Sequence, residues 1–307
     1  MKKVTKVFLV VGVIAIAAGA VMAGIGLAAN GGNGFSVYWD KGFKVSEDLK
    51  LVTMDKTEFE AFKDIDIDVT GKVNLVENKT DKFEVEYSLY ATDDKVVCEV
   101  KDSKLVVKIN DEINFLNFDL GFINDDDDLP YVTVYYPAGS EFDSINIDTS
   151  AGGFFSEDKV KAKLLFVDVS AGGINIENYE GAFEADCSAG GIEVRNCDLT
   201  DMNVDLSAGG IEMHNSKING GKLEVSAGGV EGHGIELLSD IDIDCSAGGV
   251  ELELTNGDDM GYRIDSSVGS IIIDGDKFKD EVNLNEDADI MVSIDCSAGS
   301  VEISYQK

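Results

Sequence analysis

The second half of the chain alternates apolar and acidic positions around a tripeptide that recurs at a nearly constant interval. Ser-Ala-Gly, or a close variant, occurs eight times, and the spacing is almost even except for a longer last interval. A period of roughly 20 residues predicts a repeat that stacks on its own copies. The eight copies begin at Ser150, Ser170, Ser188, Ser207, Ser226, Ser246, Ser267 and Ser297.

Each copy predicts two strands joined by a glycine corner. An apolar residue stands three positions before the serine, an apolar or small residue stands directly before it, and an acid lies between them, as in Val204, Asp205 and Leu206. This alternation predicts a strand with one buried face. The small residue after the serine is expected to point inward. The glycine that follows in every copy predicts a corner with positive φ or no room for a Cβ.

A single copy cannot bury its own apolar face, but copies stacked about 4.8 Å apart can. The identical corner at an identical offset favours parallel stacking over antiparallel hairpins. The predicted fold class is therefore all-β, a parallel β-solenoid of 19- to 20-residue repeats preceded by one N-terminal transmembrane helix. The long final interval predicts an inserted loop around residues 275–287.

Four segments follow from these patterns. Residues 1–35 are a lysine cluster and membrane anchor, and residues 36–63 are a linker and N-terminal cap, in which residues 46–62 suit a short amphipathic helix covering the open end. Residues 64–149 alternate without the glycine mark and predict irregular first coils, or a small sheet capping them. Residues 150–307 form the Ser-Ala-Gly-Gly solenoid.

The N-terminus predicts a single membrane span. Lys2, Lys3 and Lys6 precede an uncharged apolar run from Val7 to Ala29, which exceeds the ~20 residues that a transmembrane helix needs. The positive-inside rule places Met1 in the cytoplasm and the rest of the chain outside. A cleaved signal peptide is the alternative, with a cleavage site at residues 21–23. Both alternatives export the solenoid.

Charge excludes one class of partner. The whole chain carries a formal charge of −34, and setting aside the three N-terminal lysines makes the exported part −37. Such a surface repels nucleic acid and attracts cations and positively charged partners. We therefore expect no nucleic-acid binding, and an unidentified surface or envelope partner that is cationic.

The arrangement resembles a bacterial "putative adhesin" family of exported or membrane-anchored proteins with a domain of unknown function. The resemblance covers about residue 60 to the end. It rests on an opening strand rich in Ile and Asp (Asp64 to Val69), a strand ending at a proline turn (Val132 to Pro137) and the repeated Ser-Ala-Gly corners. It implies a β-solenoid architecture but neither a ligand nor a catalytic motif.

The acids between the two inward positions should form a row on one outer face, with neighbours about 4.8 Å apart. A second row of glutamates, from Glu193 to Glu302, follows the corner. Paired rows of carboxylates suit a hard cation such as Ca²⁺, and a merely solvated face is the alternative. The candidate ligands for weak divalent-cation binding are Asp168, Asp186, Asp205, Glu224 and Asp244. No other cofactor is expected.

The cysteines and histidines give few further candidates. Cys187, Cys245 and Cys296 share an inward position in the third, sixth and eighth copies, so we expect free thiols too far apart to bridge. His214 and His233 share an outward offset and should be neighbours, either as surface residues or as a two-histidine contact for a transition metal. No base stands at a fixed offset from the repeated serines, so we expect no catalysis.

Two function classes remain open. The first is an adhesin-like surface binding or scaffold module, and the second is an envelope-stress or regulatory accessory protein that the anchor keeps near membrane partners. A polysaccharide-acting enzyme is the weaker third option, because Arg195 and Arg263 are the only arginines available for its groove. Localisation is predicted at the cell membrane, single-pass, with the C-terminal domain extracellular.

Overall fold

A computed structural model describes residues 36–39, 43–46, 50–91, 95–109 and 130–305. The chain divides into two units, residues 1–50 with 110–128 and residues 51–109 with 129–307. Of the first unit, the described part is a pair of antiparallel strands, β1 (Ser36–Trp39) and β2 (Phe43–Ser46). The predicted transmembrane helix lies outside the described residues. Within them, no helix is long and apolar enough to span a membrane.

The second unit is built almost entirely of strands, and the single helix in its described part is a short 3₁₀ turn at Gly257–Asp259. Its strands are β3 (Lys50–Phe59), β4 (Asp64–Asn78), β5 (Phe83–Ala91), β6 (Val96–Lys101), β7 (Lys104–Ile109), β8 (Tyr131–Pro137), β9 (Glu141–Ser156), β10 (Val160–Glu177), β11 (Tyr179–Arg195), β12 (Asp198–His214), β13 (Lys217–Cys245), β14 (Val250–Leu254), β15 (Gly261–Ser266), β16 (Ile271–Ile273), β17 (Asp276–Phe278), β18 (Glu281–Leu284), β19 (Met291–Cys296) and β20 (Val301–Tyr305).

The central coils stack in parallel with the register that the repeat predicts. Strands β9 to β13 pair in sequence order, and each is a long bent strand with one leg on either side of a glycine corner; β13 continues into the first leg of the next coil. Asp168 lies opposite Asp148 on one side and Asp186 on the other, and Gly209 lies opposite Gly190 and Gly228. The all-β, solenoid-like architecture is confirmed.

The coils at the C-terminal end do not stack in sequence order. The eighth copy, β19 with β20, lies between the sixth copy, formed by the end of β13 with β14, and the seventh copy, β15 with β16. The predicted loop at residues 275–287 instead contains two strands, β17 and β18, which run antiparallel to β16 and β15 beyond the last coil. The chain thus leaves room for one coil after the sixth copy, forms the seventh copy and the capping strands, and then returns to place the eighth copy in that space.

The coils at the N-terminal end are also out of sequence order. Strand β4 lies between β9 and a coil made of β7 and β8, although β7 and β8 follow β4 in the sequence. Strands β5 and β6 then run antiparallel to β8 and β7. Residues 64–149 therefore supply both irregular coils and a capping sheet. The helix expected within residues 46–62 is wrong, because β3 is a strand and pairs with β5.

The glycine corner explains where the small residue after each serine points. Gly209 has φ +143°, and a Cβ there would overlap the carbonyl oxygen of Gly190 on the neighbouring coil. This conformation interrupts the in-out alternation, so Ser207 and Ala208 are both exposed. The expectation that the small residue points inward is wrong. The same exposed position is occupied by Val268, whose exposure reaches 71%.

A second corner closes each coil with a residue in the left-handed region. Asn178, Asn196 and Asn215 have φ between 46° and 57°, and Gly234 takes the next equivalent place with φ 67°. Asparagine tolerates this conformation better than most residues. The corner ends the second leg of each coil, so Arg195, the residue directly before Asn196, occupies the last outward position of its leg.

The core lies between the two legs and runs through the whole stack. Val167, Val204 and Ile243, each of which stands three positions before a serine, are at most 4% exposed. The position directly before the serine often carries a hydrogen-bond donor that reaches a corner carbonyl of a neighbouring coil. Thr149 Oγ1 donates to Gly71 O at 2.7 Å, and Cys296 Sγ lies 3.7 Å from Gly248 O. These donors satisfy buried backbone groups.

Candidate functional site

The outward acids of the first legs form one continuous row, which we call the acidic ladder. Asp148, Asp168, Asp186, Asp205 and Glu224 are opposite one another from β9 to β13. Asp68 extends the row at the N-terminal end, and Asp295 and Asp265 extend it beyond Asp244. In spatial order its members are Asp68, Asp148, Asp168, Asp186, Asp205, Glu224, Asp244, Asp295 and Asp265.

The ladder carboxylates perturb one another. Partial burial, followed by the neighbouring charges of Asp168 and Asp205, raises the pKa of Asp186. Partial burial together with Asp68 and Asp168 likewise raises the pKa of Asp148. A raised carboxyl pKa means that the folded protein holds the charged form less favourably than the unfolded chain does. A cation between these groups would relieve that cost.

Lys222 already neutralises one part of the ladder. It stands on the same face two residues before Glu224, and its Nζ lies 2.5 Å from Glu224 Oε1 and 3.2 Å from Asp244 Oδ2. The segment from Asp148 to Asp205 has no basic side chain in the corresponding position, where register places Asn146, Phe166, Glu184 and Asn203. Lys108 offsets part of the repulsion at Asp148, whereas only burial and two neighbouring carboxylates perturb the pKa of Asp186.

The straightness of the row limits what a single ion can contact. Adjacent coils are about 4.8 Å apart, so three successive carboxylates span about 9.6 Å. Ca²⁺ binds oxygen at roughly 2.3–2.6 Å, so it could be shared by two neighbours but not by three. Pairwise, weak cation binding by Asp168, Asp186, Asp205, Glu224 and Asp244 stays a prediction.

The glutamates after the corner form a second row on the second legs. Glu193, Glu212, Glu231, Glu251 and Glu302 follow one another in register. His214 and His233 lie two residues beyond Glu212 and Glu231 on the same face and are paired with each other, as the sequence predicts. Their rings are stacked with centroids 5.5 Å apart.

The sequence-based separation of the cysteines is wrong for one pair. Cys245 and Cys296 lie directly opposite each other, because the eighth copy is inserted next to the sixth. Both remain free thiols in the structure, as do Cys98, Cys187 and Cys197. Burial raises the pKa of Cys296 to about 11, so this thiol stays protonated and unreactive near neutral pH.

Two features of the second legs were not predicted from the sequence: the asparagine corners and the partners of Glu193. The asparagine corners recur once in each of three successive coils, and this regular spacing was a usable signal. The partners of Glu193 had no comparable signal. Its Oε1 is paired with Arg195 Nη2, and its Oε2 accepts a hydrogen bond from Asn175 Nδ2 at 2.7 Å.

Comparison with known proteins identifies the architecture. The family model described as Toastrack DUF4097 matches residues 62–305. No curated protein matches the chain.

Solved structures of low sequence identity cover most of the chain. A "putative adhesin" from Parabacteroides distasonis is 14% identical, covers 83% of this chain and 98% of its own, and has a TM-score of 0.48. A "putative lipid binding protein" from the same species is 15% identical, covers 85% and 98%, and has a TM-score of 0.46. A "putative adhesin" from Bacteroides fragilis is 12% identical, covers 84% and 98%, and has a TM-score of 0.35.

Proposed function

The chain belongs to the Toastrack DUF4097 family, and from that premise we propose that it is a membrane-anchored, extracytoplasmic binding or scaffold module with no catalytic role. Its acidic ladder is proposed to face a cationic partner. The observation that carries this proposal is the unbroken register of the ladder, which concentrates like charges on one face of a rigid stack. A row of this kind attracts a positively charged partner more strongly than the same charges scattered over the surface.

The distribution of charge along the ladder indicates where such a partner binds. Lys222 offsets Glu224 and Asp244, whereas the pKa of Asp148 and that of Asp186 are raised by burial and by their charged neighbours. Binding a cation to the latter segment relieves repulsion between carboxylates. Around Lys222 the same cation would compete with an existing ion pair. The preferred contact is therefore the segment from Asp148 to Asp205.

A melting experiment with two cationic probes tests this binding. Millimolar Ca²⁺ and an oligolysine peptide should each raise the melting temperature above the value in NaCl of equal ionic strength, because screening alone treats these solutions alike. By linkage, a ligand at one hundred times its dissociation constant adds about 2.7 kcal/mol. The variant that should lose the excess shift combines Asp168→Asn, Asp186→Asn and Asp205→Asn.

A second triple variant controls for net charge. Three exposed acids outside the ladder are neutralised, which changes the formal charge by the same three units. This variant should keep the excess shift. Equal shifts in Ca²⁺, oligolysine and matched NaCl for the wild-type chain would remove the proposed cationic partner. The control substitutions are Asp276→Asn, Glu286→Gln and Asp289→Asn.

The proposed location predicts that the chain sediments with membranes and is degraded by protease added to intact cells. The apolar run Val7 to Ala29 motivates this expectation, together with the lysines that precede it. Immunoblotting of fractionated cells, with and without added protease, measures both properties. Protection of residues 150–307 in intact cells, with digestion only after lysis, would contradict an extracellular solenoid.

A further inference from the structure

Four side chains on the second legs form a compact group, which we call the histidine patch: Glu193, Glu212, His214 and His233. Glu193 of β11 lies opposite Glu212 of β12, and His214 of β12 lies opposite His233 of β13. Glu212 and His214 are two residues apart on one strand and so point to the same face. The patch is thus held by three successive coils of the rigid stack and lies on a different leg from the acidic ladder.

Three of the four residues of the patch already have their ligand atoms close together. The candidate ligand atoms of Glu193, Glu212 and His214 all lie within 4.8 Å of one another. His214 Nε2 is 4.0 Å from Glu212 Oε2, and the ring of His233 stacks on that of His214 at an interplanar angle of 22°. Metal–ligand distances of roughly 2.0–2.2 Å place two ligands of one tetrahedral ion about 3.3 Å apart. Closing this difference requires side-chain rotation and the loss of the pairing between Glu193 and Arg195.

We propose that the histidine patch binds a divalent transition-metal ion, with His214, Glu212 and Glu193 as ligands and the ring of His233 stacked beside His214. Imidazole nitrogen combined with carboxylate oxygen suits Zn²⁺, Ni²⁺ or Cu²⁺, whereas Ca²⁺ and Mg²⁺ are bound through oxygen alone. The chemistry separates this site from the acidic ladder, which offers only carboxylates. The large negative charge of the chain raises the local concentration of any cation near the patch.

Neighbouring side chains both orient and compete for these ligands. Asn175 donates to Glu193 Oε2 and fixes that carboxylate, while Arg195 is paired with Glu193 Oε1. His233 Nδ1 lies 3.6 Å from Glu253 Oε2, a contact that orients the ring stacked on His214. A metal ion on Glu193 must therefore compete with the guanidinium of Arg195. Removing this competitor should tighten metal binding.

Zn²⁺ titration of the full-length chain, purified without a histidine tag, tests the proposal by calorimetry. We expect one Zn²⁺ per chain. His214→Gln and Glu212→Gln should each weaken binding by about tenfold or more, since both remove a ligand. Because His214 and His233 are the only histidines in the chain, a double variant with glutamine at both positions leaves no imidazole at all. Circular dichroism should be unchanged, since all four side chains point outward.

Matched variants separate coordination from general attraction. Glu286→Gln, at an exposed acid outside both the acidic ladder and the histidine patch, removes the same charge as Glu212→Gln and should leave Zn²⁺ affinity within about twofold. Arg195→Gln should raise the affinity, whereas Lys217→Gln, which removes the same positive charge at an ion pair with Glu236, should change it less. Absence of Zn²⁺ binding, or binding that survives the double histidine variant, would overturn the proposal.

Discussion

Replacing Gly209 by alanine is expected to destabilise the protein by about 3 kcal/mol or more, because the new methyl group has no room and the backbone no suitable conformation. At this position φ is +143°, and a Cβ would overlap the carbonyl oxygen of Gly190 on the adjacent coil. Backbone hydrogen bonds between the strands hold the two coils in one register, so neither coil can move away without breaking some of these bonds. The melting temperature should fall by about 6–12 °C.

The next glycine provides a control of identical chemistry. Gly210 has no positive φ, and a Cβ there would lie 3.8 Å from Gly229 O, an ordinary van der Waals contact. Gly210→Ala should therefore leave the melting temperature within about 2 °C of the wild-type value. If both substitutions shift the melting temperature equally, the stacked corner is not the reason for the first glycine of each pair.

The stacking register could be predicted because each copy repeats the same in-out pattern. Val204, Asp205 and Leu206 specify which side of a leg is buried, and the fixed distance to Gly209 specifies the corner. A slip by one residue would expose the whole apolar set, so the register is strongly determined. The acidic ladder follows directly from this register.

The order of the last coils could not be predicted for the same reason. Val250, Ile271 and Val301 each open a second leg with the same apolar character. By this pattern, the seventh copy, which contains Ile271, and the eighth copy, which contains Val301, fit equally well beside the sixth copy. The repeat pattern alone therefore does not tell which of these two copies lies next to the sixth. The long final interval gives the chain enough length to form the seventh copy one coil further on and then return to form the eighth. The capping strands β17 and β18 lie in this interval.

The candidate sites were predictable only as far as they repeat. The ladder and the pairing of His214 with His233 depend on equal offsets from a serine, and both were found in this way. The contact of Lys222 with two ladder carboxylates, and that of Arg195 with Glu193, depend on side chains that occur once at their positions. The in-out alternation also predicted the wrong side for Ala208, because the backbone turns at the glycine corner and leaves two successive residues exposed.

The inserted eighth copy makes a second large prediction, an all-or-none difference in cross-linking. Glu251 and Glu302 lie opposite each other on exposed faces of adjacent coils, whereas Ile272 lies beyond Glu302. Adjacent in-register residues are about 4.8 Å apart, within the Cα separation that a disulfide accepts, and residues two coils apart are about 9.6 Å apart, which exceeds it. The native thiols of Cys245 and Cys296 are buried and point inward.

Mass-spectrometric mapping after mild oxidation of two double variants tests the coil order, and with it the stacked register on which both carboxylate rows depend. Glu251→Cys combined with Glu302→Cys should form a disulfide in nearly every molecule, and Glu251→Cys combined with Ile272→Cys should form none. A stack in sequence order predicts the reverse. A disulfide between positions 251 and 272, with none between 251 and 302, would contradict the architecture described for this chain.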